Sequence, residues 1–300
     1  MRRLASLCFF VVVLVPTVFV GAQVPSTAKR VKIDAHFHFE GTPQAIKQIV
    51  ETYRRNNTMV CAFTPYTALD LMKQAVVDYP DVFIPFGSIQ IDDFAQALSQ
   101  IDAYHAAGFR GIGEIYSPLD DYDNPRYNLI YERMASYGMV ANFHLGIVSR
   151  ERPEVPEFSS MARMKPSMLD AIARRFPRLT IVGAHFGNPW YEEAAEAGRW
   201  NPNLLFDITG SSLIKKADHP EFWGQVLWWR SNLSTMHSPG GQDAFEKVVF
   251  GTDEGPEGLE PNIERFQRFL DGNNVPEAVR EKCWYGTMAK LLNITPRARS

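Results

Sequence analysis

The chain has 300 residues, of which 45% are hydrophobic and 22% are charged, a composition that is typical of folded globular proteins and excludes a largely disordered chain. Its 31 basic and 34 acidic residues give a net charge of −3, so no strongly basic surface is indicated and the sequence argues against a nucleic-acid partner. This length fits either two small domains or one large one, and the order of the predicted elements decides between them.

The first 22 residues have the pattern of a secretory signal peptide. Two arginines precede an apolar run over residues 7–20, and two small residues follow it. A retained membrane anchor is the alternative, but the run is shorter than the roughly 20 residues of a typical span and Pro16 interrupts it. We therefore expect cleavage after residue 22, export to the periplasm or the medium, and one domain over residues 23–300 without a membrane span.

Beyond this segment, short apolar runs alternate with stretches in which apolar residues recur three and four positions apart, which predicts strands that alternate with helices. The predicted strands are residues 31–38, 59–64, 82–89, 110–115, 139–144, 179–185, 204–209 and 248–253. The clearest predicted helices are residues 43–55, 68–78, 94–106, 126–137, 166–175, 260–270 and 276–292. Such alternation is typical of parallel strands that are joined by helical crossovers.

Eight strand and helix units predict an α/β fold in which a single (β/α)₈ barrel closes on itself. An open doubly wound sheet is the alternative, and the placement of polar residues described below favours the barrel. The long segments 145–165 and 210–247 are predicted to be elaborated strand-to-helix loops around the barrel mouth. Their residues Arg150, Arg152, Trp223, Trp228 and Trp229, and Trp190 after the sixth predicted strand, are either substrate contacts or part of the packing within the loops.

The first predicted strand ends in a His-x-His pair. Because side chains alternate along a strand, His36 and His38 are expected to project to the same face and to converge on one point. By the same alternation Asp34 is expected on that face, where it would either support a histidine or make a structural hydrogen bond lower in the barrel.

Four more ionisable residues stand at the ends of other predicted strands: Glu114 on the fourth, His144 on the fifth, His185 on the sixth and Asp253 on the eighth. Such groups are costly to bury unless they are paired or bind a cation, so six of them at one rim predict a metal site. Imidazole and carboxylate ligands suit Zn²⁺ best, while Mn²⁺ or another transition metal is also compatible. Any one of these histidines alone would be expected to be an ordinary hydrogen-bonded rim residue.

The remaining histidines and cysteines carry weaker signals. His105, His219 and His237 are expected at the surface. Cys61 and Cys283 are expected to be two separate buried thiols, with a disulfide between them as the alternative for an exported chain.

These motifs, in their order and spacing, resemble those of the amidohydrolase superfamily, and in particular the amidohydrolase-related branch that includes lactonases, decarboxylases and hydratases. The matching segments are Ile33-Asp34-Ala35-His36-Phe37-His38, Gly108-Phe109-Arg110-Gly111-Ile112-Gly113-Glu114, Phe143-His144, Gly183-Ala184-His185-Phe186-Gly187, Phe250-Gly251-Thr252-Asp253 and Tyr285-Gly286-Thr287-Met288-Ala289-Lys290-Leu291-Leu292. The resemblance covers essentially the whole chain after residue 22.

The resemblance implies a role for each of the six residues. His36 and His38 would hold the more buried metal together with Asp253, His144 and His185 would face a second metal or the substrate, and Glu114 would bridge two ions. Many two-metal members have a carbamylated lysine at the end of the fourth strand, and single-metal members of the branch often have no ligand there. A glutamate at this place is similar to the TatD-like metal-dependent nucleases, so both one and two ions remain open.

The sequence therefore predicts an enzyme that uses a metal-activated water to hydrolyse a small ester, lactone, amide or phosphoester. Asp253 and His185 are the candidate catalytic residues, and Asp253 is expected to accept the proton of the water and deliver it to the leaving group. The alternative is a single-metal decarboxylase or hydratase that acts on an aromatic or unsaturated carboxylic acid. A third reading, a ligand-binding barrel without activity, predicts an incomplete ligand set, and this set is complete.

Overall fold

The structure is a computed structural model that describes residues 30–117, 119–146, 160–230 and 241–295. The segment of residues 1–22 lies outside the described residues, as do Arg150, Arg152 and His237. Signal cleavage, export and the domain limits 23–300 stay predictions. Across the described ranges, none of the helices is both long and apolar enough to cross a membrane.

Eight parallel strands form a nearly closed barrel in which each strand pairs with the next one along the chain. The strands are β1 (Lys32–His38), β2 (Thr58–Thr64), β3 (Phe83–Gly87), β4 (Gly111–Ile115), β5 (Val140–Phe143), β6 (Thr180–Gly183), β7 (Leu204–Asp207) and β8 (Val248–Val249). The backbone N–H of Ala35 donates to the carbonyl of Phe250 at 2.9 Å and so joins the end of β8 to β1. The predicted (β/α)₈ barrel is confirmed.

Helices surround the strands on the outside. They are α1 (Pro43–Arg55), α2 (Leu69–Asp78), α3 (Phe94–Ala106), α4 (Asn128–Ser136), α5 (Pro166–Arg175), α6 (Tyr191–Trp200), α7 (Gly210–Lys216), α8 (Pro220–Val226), α9 (Leu259–Gly272), α10 (Glu277–Glu281) and α11 (Thr287–Leu291).

The start of α1 shows why the first residue of a helix can be predicted from the sequence. Thr42 accepts the N–H of Ala45 at 3.1 Å through its hydroxyl, and Pro43 occupies the first turn, where its missing N–H costs no hydrogen bond.

Apart from shorter strands, of which β8 ends four residues before the predicted limit, two parts of the chain differ from the prediction. The segment that follows β7 was expected to be a loop, but its described part contains α7 and α8, which have seven residues each and are too short to show a clear apolar repeat. The helix expected over residues 276–292 is instead α10 and α11 on either side of a π-helical turn, Lys282–Gly286.

The apolar core has two layers. The inner layer fills the barrel and includes Ile33, Ala35, Cys61 and Phe63, while the larger outer layer lies between strands and helices and includes Cys283. Both cysteines are buried and free, so the prediction of two separate thiols is confirmed. Of the aromatic residues considered as substrate contacts, Trp223 and Trp229 are fully buried in the outer layer and serve packing.

Candidate metal centre

The His-x-His pair lies on a β-bulge in β1. Asp34 pairs with Val60 of β2 and Phe37 pairs with Ala62, so β1 contains one residue more than β2 over this stretch. Ile33, before the bulge, and Ala35, within it, face the inner core. The extra residue lets His36 follow Ala35 on the inner side, as bulges often do when they redirect a side chain next to a site.

Glu114 is positioned by a second bulge, in β4. Ile112 pairs with Ala141 of β5 and Ile115 with Phe143, so β4 also has one residue more than its neighbour. A Cβ on Gly113 would lie only 2.8 Å from the ring of Phe63, which shows that Gly113 faces the inside of the barrel. Glu114 comes next and also points inward, toward the imidazoles of the site.

The other three predicted residues lie one, two and four residues beyond the ends of β5, β6 and β8, respectively. His144 follows β5, and its backbone N–H donates to Ile115 across the strand end at 3.0 Å. His185 and Asp253 have left-handed backbone conformations, with φ of 58° and 55°. Such values are uncommon for residues other than glycine and cluster at functional sites, and here they occur where two strands end and their side chains turn into the barrel mouth.

Glu114 lies at the centre of the six side chains. Its Oε1 atom is 3.0 Å from Nδ1 of His144, 3.5 Å from Nε2 of His185 and 3.7 Å from Nε2 of His36. Its Oε2 atom is 3.6 Å from Nε2 of His38. Two groups with metal-binding spacing result, one of His36, His38 and Glu114 and one of Glu114, His144 and His185, and they share the glutamate.

Asp253 completes the first of these groups. Its Oδ1 atom lies 3.3 Å from Nε2 of His36 and 3.4 Å from Nε2 of His38. The backbone N–H of Asp253 donates to the carbonyl of His36 at 2.8 Å and holds the loop after β8 against β1. The structure therefore brings together all six residues that the sequence singled out, while their individual roles stay predictions.

The chemistry of this cluster fits a cation. Nε2 of His36 is buried without a hydrogen-bond partner, whereas Nδ1 of the same ring is 2.9 Å from a carboxylate oxygen of Asp207. A histidine whose second nitrogen bonds a carboxylate is a common arrangement for metal ligands. The donor set of imidazole nitrogens and carboxylate oxygens suits a transition-metal ion, and a bound ion would use the unpaired nitrogen.

The charged side chains of the cluster shift one another's pKa values. Burial by itself would raise the pKa of Glu114, but the charges of His144 and His36 outweigh it and hold that pKa well below its usual range. Burial likewise opposes the charged form of His36, yet Asp253, Asp207 and Glu114 together raise its pKa well above the usual value. The carboxylates thus favour positive charge at the centre of the site.

Asp207 is a residue of this site that sequence reasoning missed. It is the last residue of β7, is fully buried and contacts His36 directly. The available signal was a carboxylate at the end of the apolar run Leu204-Leu205-Phe206, the same signal that identified Glu114 and Asp253. The predicted strand extends to Thr209, two residues beyond the observed end of β7, so Asp207 lies inside the predicted strand rather than at its end.

The prediction that Asp34 shares the face of the histidines is wrong. Asp34 precedes the bulge and points outward, where it accepts hydrogen bonds from Tyr53 of α1 at 2.7 Å and from the hydroxyl of Thr252 at 2.7 Å. It therefore makes a structural contact between β1, α1 and the loop after β8, which was the alternative reading. Away from the site, His105 stacks on Tyr137 at the surface.

A family model described as amidohydrolase matches residues 34–294. The chain belongs to the amidohydrolase family. This is a family of metal-dependent enzymes that act on small molecules, which agrees with the resemblance and with the donor set of the cluster. A search of curated proteins finds no match to this amidohydrolase.

Solved structures share the fold of this amidohydrolase at low sequence identity. A 5-carboxyvanillate decarboxylase from Sphingomonas paucimobilis has a TM-score of 0.58 and 15% identity, with 88% of this chain and 99% of that chain covered. A "probable 2-pyrone-4,6-dicarboxylic acid hydrolase" from Acinetobacter baumannii, with citric acid bound, has a TM-score of 0.56 and 13% identity, with 88% and 99% covered. A 5-carboxyvanillate decarboxylase from Novosphingobium aromaticivorans, with manganese bound, has a TM-score of 0.57 and 14% identity, with 88% and 97% covered.

Proposed function

We propose that this amidohydrolase is a hydrolase with a two-ion centre, which cleaves a small ester, lactone, amide or phosphoester. The observation that carries the proposal is the position of Glu114 between two histidine pairs, with Oε1 near His144 and His185 and Oε2 near His38. A carboxylate shared by two groups of ligands is suited to bridge two cations. Pairs of adjacent metal ions occur in the active sites of many hydrolytic enzymes.

Each group of ligands would hold one ion. His36, His38 and Asp253 would bind the more buried ion, His144 and His185 the other, and Glu114 both. We infer Zn²⁺ as the natural ion because imidazole and carboxylate suit it, and Mn²⁺ is the first alternative because one structural neighbour has manganese bound. When bound, the ions would polarise the carbonyl or phosphoryl oxygen of the substrate and make the attacking water more acidic.

Asp253 is the proposed general base and acid. Burial by itself would raise its pKa, but His36 and His38 lower the pKa well below the usual range, so the carboxylate is ionised and able to accept a proton at neutral pH. Its Oδ1 atom faces the two histidines, which leaves Oδ2 for the proton of the water. As the water oxygen bonds to the substrate, Asp253 takes this proton and then delivers it to the leaving group.

His185 is the second candidate catalytic residue. Its Nδ1 atom lies 3.9 Å from Oδ2 of Asp253, and its side chain is 12% exposed, so it borders the space in which the proton moves. In the proposed mechanism His185 would hold the ion of the second group and would position the substrate beside Asp253. Turnover should therefore depend on His185 more strongly than on exposed histidines such as His219.

The proposal is tested by measuring metal content and reaction class together. Purified protein is analysed for bound metals by mass spectrometry and assayed with lactones, esters, amides, phosphoesters and aromatic acids. We expect close to two ions per chain and hydrolysis of at least one class, lost after chelation and restored by Zn²⁺ or Mn²⁺. One ion per chain with release of CO₂ from an aromatic acid would overturn the proposal and establish a decarboxylase, as in two of the structural neighbours.

A further inference from the structure

Asp207 and Thr209, at the end of β7, lie between one histidine of each ligand group. Asp207 is fully buried, and its Oδ2 atom is 2.9 Å from Nδ1 of His36. Its Oδ1 atom accepts the hydroxyl of Thr209 at 2.8 Å and the backbone N–H of His185 at 2.9 Å. The amide of Asn142 approaches Oδ2 at 3.5 Å. The Thr209 hydroxyl, the His185 backbone N–H and the Asn142 amide are therefore all donors to this carboxylate.

The hydroxyl of Thr209 has only one proton, which it gives to Asp207. Its oxygen is also 2.8 Å from Nδ1 of His185, so it must accept a hydrogen bond there, and Nδ1 of His185 must carry the proton. The same reasoning assigns a proton to Nδ1 of His36, because its partner is the carboxylate of Asp207. In the neutral form of both rings, which is the form that binds metal, Nε2 is then the unprotonated nitrogen.

The Nε2 atoms of both rings face Glu114. Nε2 of His36 lies 3.7 Å from Oε1 of Glu114, and Nε2 of His185 lies 3.5 Å from the same atom. A neutral imidazole binds a metal only through its unprotonated nitrogen, so the hydrogen bond at the other nitrogen decides which one is available. Asp207 makes this bond to His36 directly and to His185 through Thr209.

We propose that Asp207 and Thr209 are positioning residues that fix one imidazole of each ligand group with its Nε2 atom ready for metal. The inference rests on the proposed two-ion centre and states which residue positions the histidine of each ligand group. Asp207 serves both groups, because it reaches His36 and Thr209 with different oxygens. Thr209 serves only the group that contains His185.

Thr209 allows a test that preserves packing. Its methyl group packs beside Gly251, where a Cβ would come within 2.7 Å of it, so a replacement of the same shape at position 209 preserves this contact. Thr209→Val keeps this shape and removes the hydroxyl, whereas Thr209→Ser keeps the hydroxyl and removes the methyl group. We expect Thr209→Val to weaken binding of one of two ions by about 10-fold to 100-fold, and Thr209→Ser to restore it to near the wild-type value.

Asp207→Asn extends the test to both groups. Because the amide cannot accept from all of these donors, we expect weaker binding of both ions rather than of one. Metal content and affinity are measured by titration into metal-free protein, and the imidazole protons are observed directly by NMR of ¹⁵N-histidine-labelled protein. Wild-type protein should show Nδ1–H protons for His36 and His185, and Thr209→Val should change the signal of His185 alone.

The outcomes separate this inference from the proposed function. If the wild type binds two ions and Thr209→Val binds both equally well, the positioning role is refuted while the two-ion centre stands. If the wild type binds no metal, the proposed function fails, and the NMR spectrum of the metal-free chain still decides the assignment. Absence of a proton from Nδ1 of His36 and of His185 in that spectrum would overturn it.

Discussion

Oε1 of Glu114 lies 3.0 Å from Nδ1 of His144, across the adjacent carboxyl ends of β4 and β5. The other oxygen of the same carboxylate faces His38, on the opposite side of the cluster. Glu114 is therefore the only one of the six side chains that belongs to both groups with metal-binding spacing within the described residues.

Replacing Glu114 should consequently affect both groups at once. We expect Glu114→Gln to reduce the bound metal from two ions to one or fewer per chain and to lower kcat by about 10²-fold or more, because the amide is a much weaker ligand than a carboxylate. Metal analysis and the rate on the substrate found in the panel check this. Glu51→Gln, at an exposed position on α1, is the matched control. Full metal content in Glu114→Gln would argue against a bridging role.

Replacing Asp253 should lower the turnover rate much more than the metal content. We expect Asp253→Asn to retain much of the metal, because His36, His38 and Glu114 remain, and to lose about 10² or more in kcat through the missing proton transfer. Metal content and steady-state kinetics are measured on the same preparation. Undiminished turnover in this variant would rule out Asp253 as the base.

The hydrogen bond between Tyr53 and Asp34 should support stability rather than catalysis. Both residues are fully buried, and Tyr53→Phe removes a donor from a carboxylate that retains its bond to Thr252. We expect the free energy of unfolding to fall by about 1–3 kcal/mol, a typical cost for a hydrogen bond to a charged group, with metal content unchanged. Chemical denaturation measures the effect, and the same change at the exposed Tyr66 should have almost none.

Lys247 should make stability depend on pH in the alkaline range. The side chain is buried, donates to the carbonyl of Asn201 at 2.9 Å, and burial lowers its pKa from 10.5 to about 8. Between pH 8 and 10.5 the unfolded chain therefore binds more protons at this residue than the folded chain, so this residue's contribution to stability rises with pH. Below pH 8 both states are protonated and the full cost of burying the charge remains.

A comparison of wild type with Lys247→Met isolates this contribution. We expect the free energy of unfolding of the wild type, relative to the variant, to increase from pH 8 to pH 10.5 by a few kcal/mol at most, since one pKa unit corresponds to about 1.4 kcal/mol. Chemical denaturation at several pH values provides the measurement, with the exposed Lys215→Met as control. A difference that stays constant over this range would contradict the lowered pKa.

The sequence was sufficient to predict the barrel and the convergence of the six side chains. Parallel strands have their carboxyl ends at one rim, so polar residues that end apolar runs must meet there whatever the exact strand limits are. The direction of individual side chains was less predictable. The bulge after Asp34 breaks the alternation on which the prediction for that residue depended, and no residue type in β1 marks the bulge.

The hydrogen bonds among the site residues could also not be predicted from the sequence. Asp207 contacts His36 although they are 171 positions apart, and the hydrogen bonds that relate Thr209 to His185 depend on how β6 and β7 end. The helices α7 and α8 were missed for a different reason, since seven residues give only two turns over which an apolar repeat can be recognised.

The glycines of β4 determine which side chains lie beneath the cluster. Where Gly111 and Gly113 leave space, the rings of Phe86 and Phe63 from β3 and β2 occupy it, and the Phe63 ring centroid is 5.1 Å from that of His36. On the side of β2, β3 and β4 the floor of the cluster is thus hydrocarbon, while the His38 side chain above it is 54% exposed. Water, ions and substrate should exchange through this upper opening, and an apolar floor strengthens every charge interaction made over it.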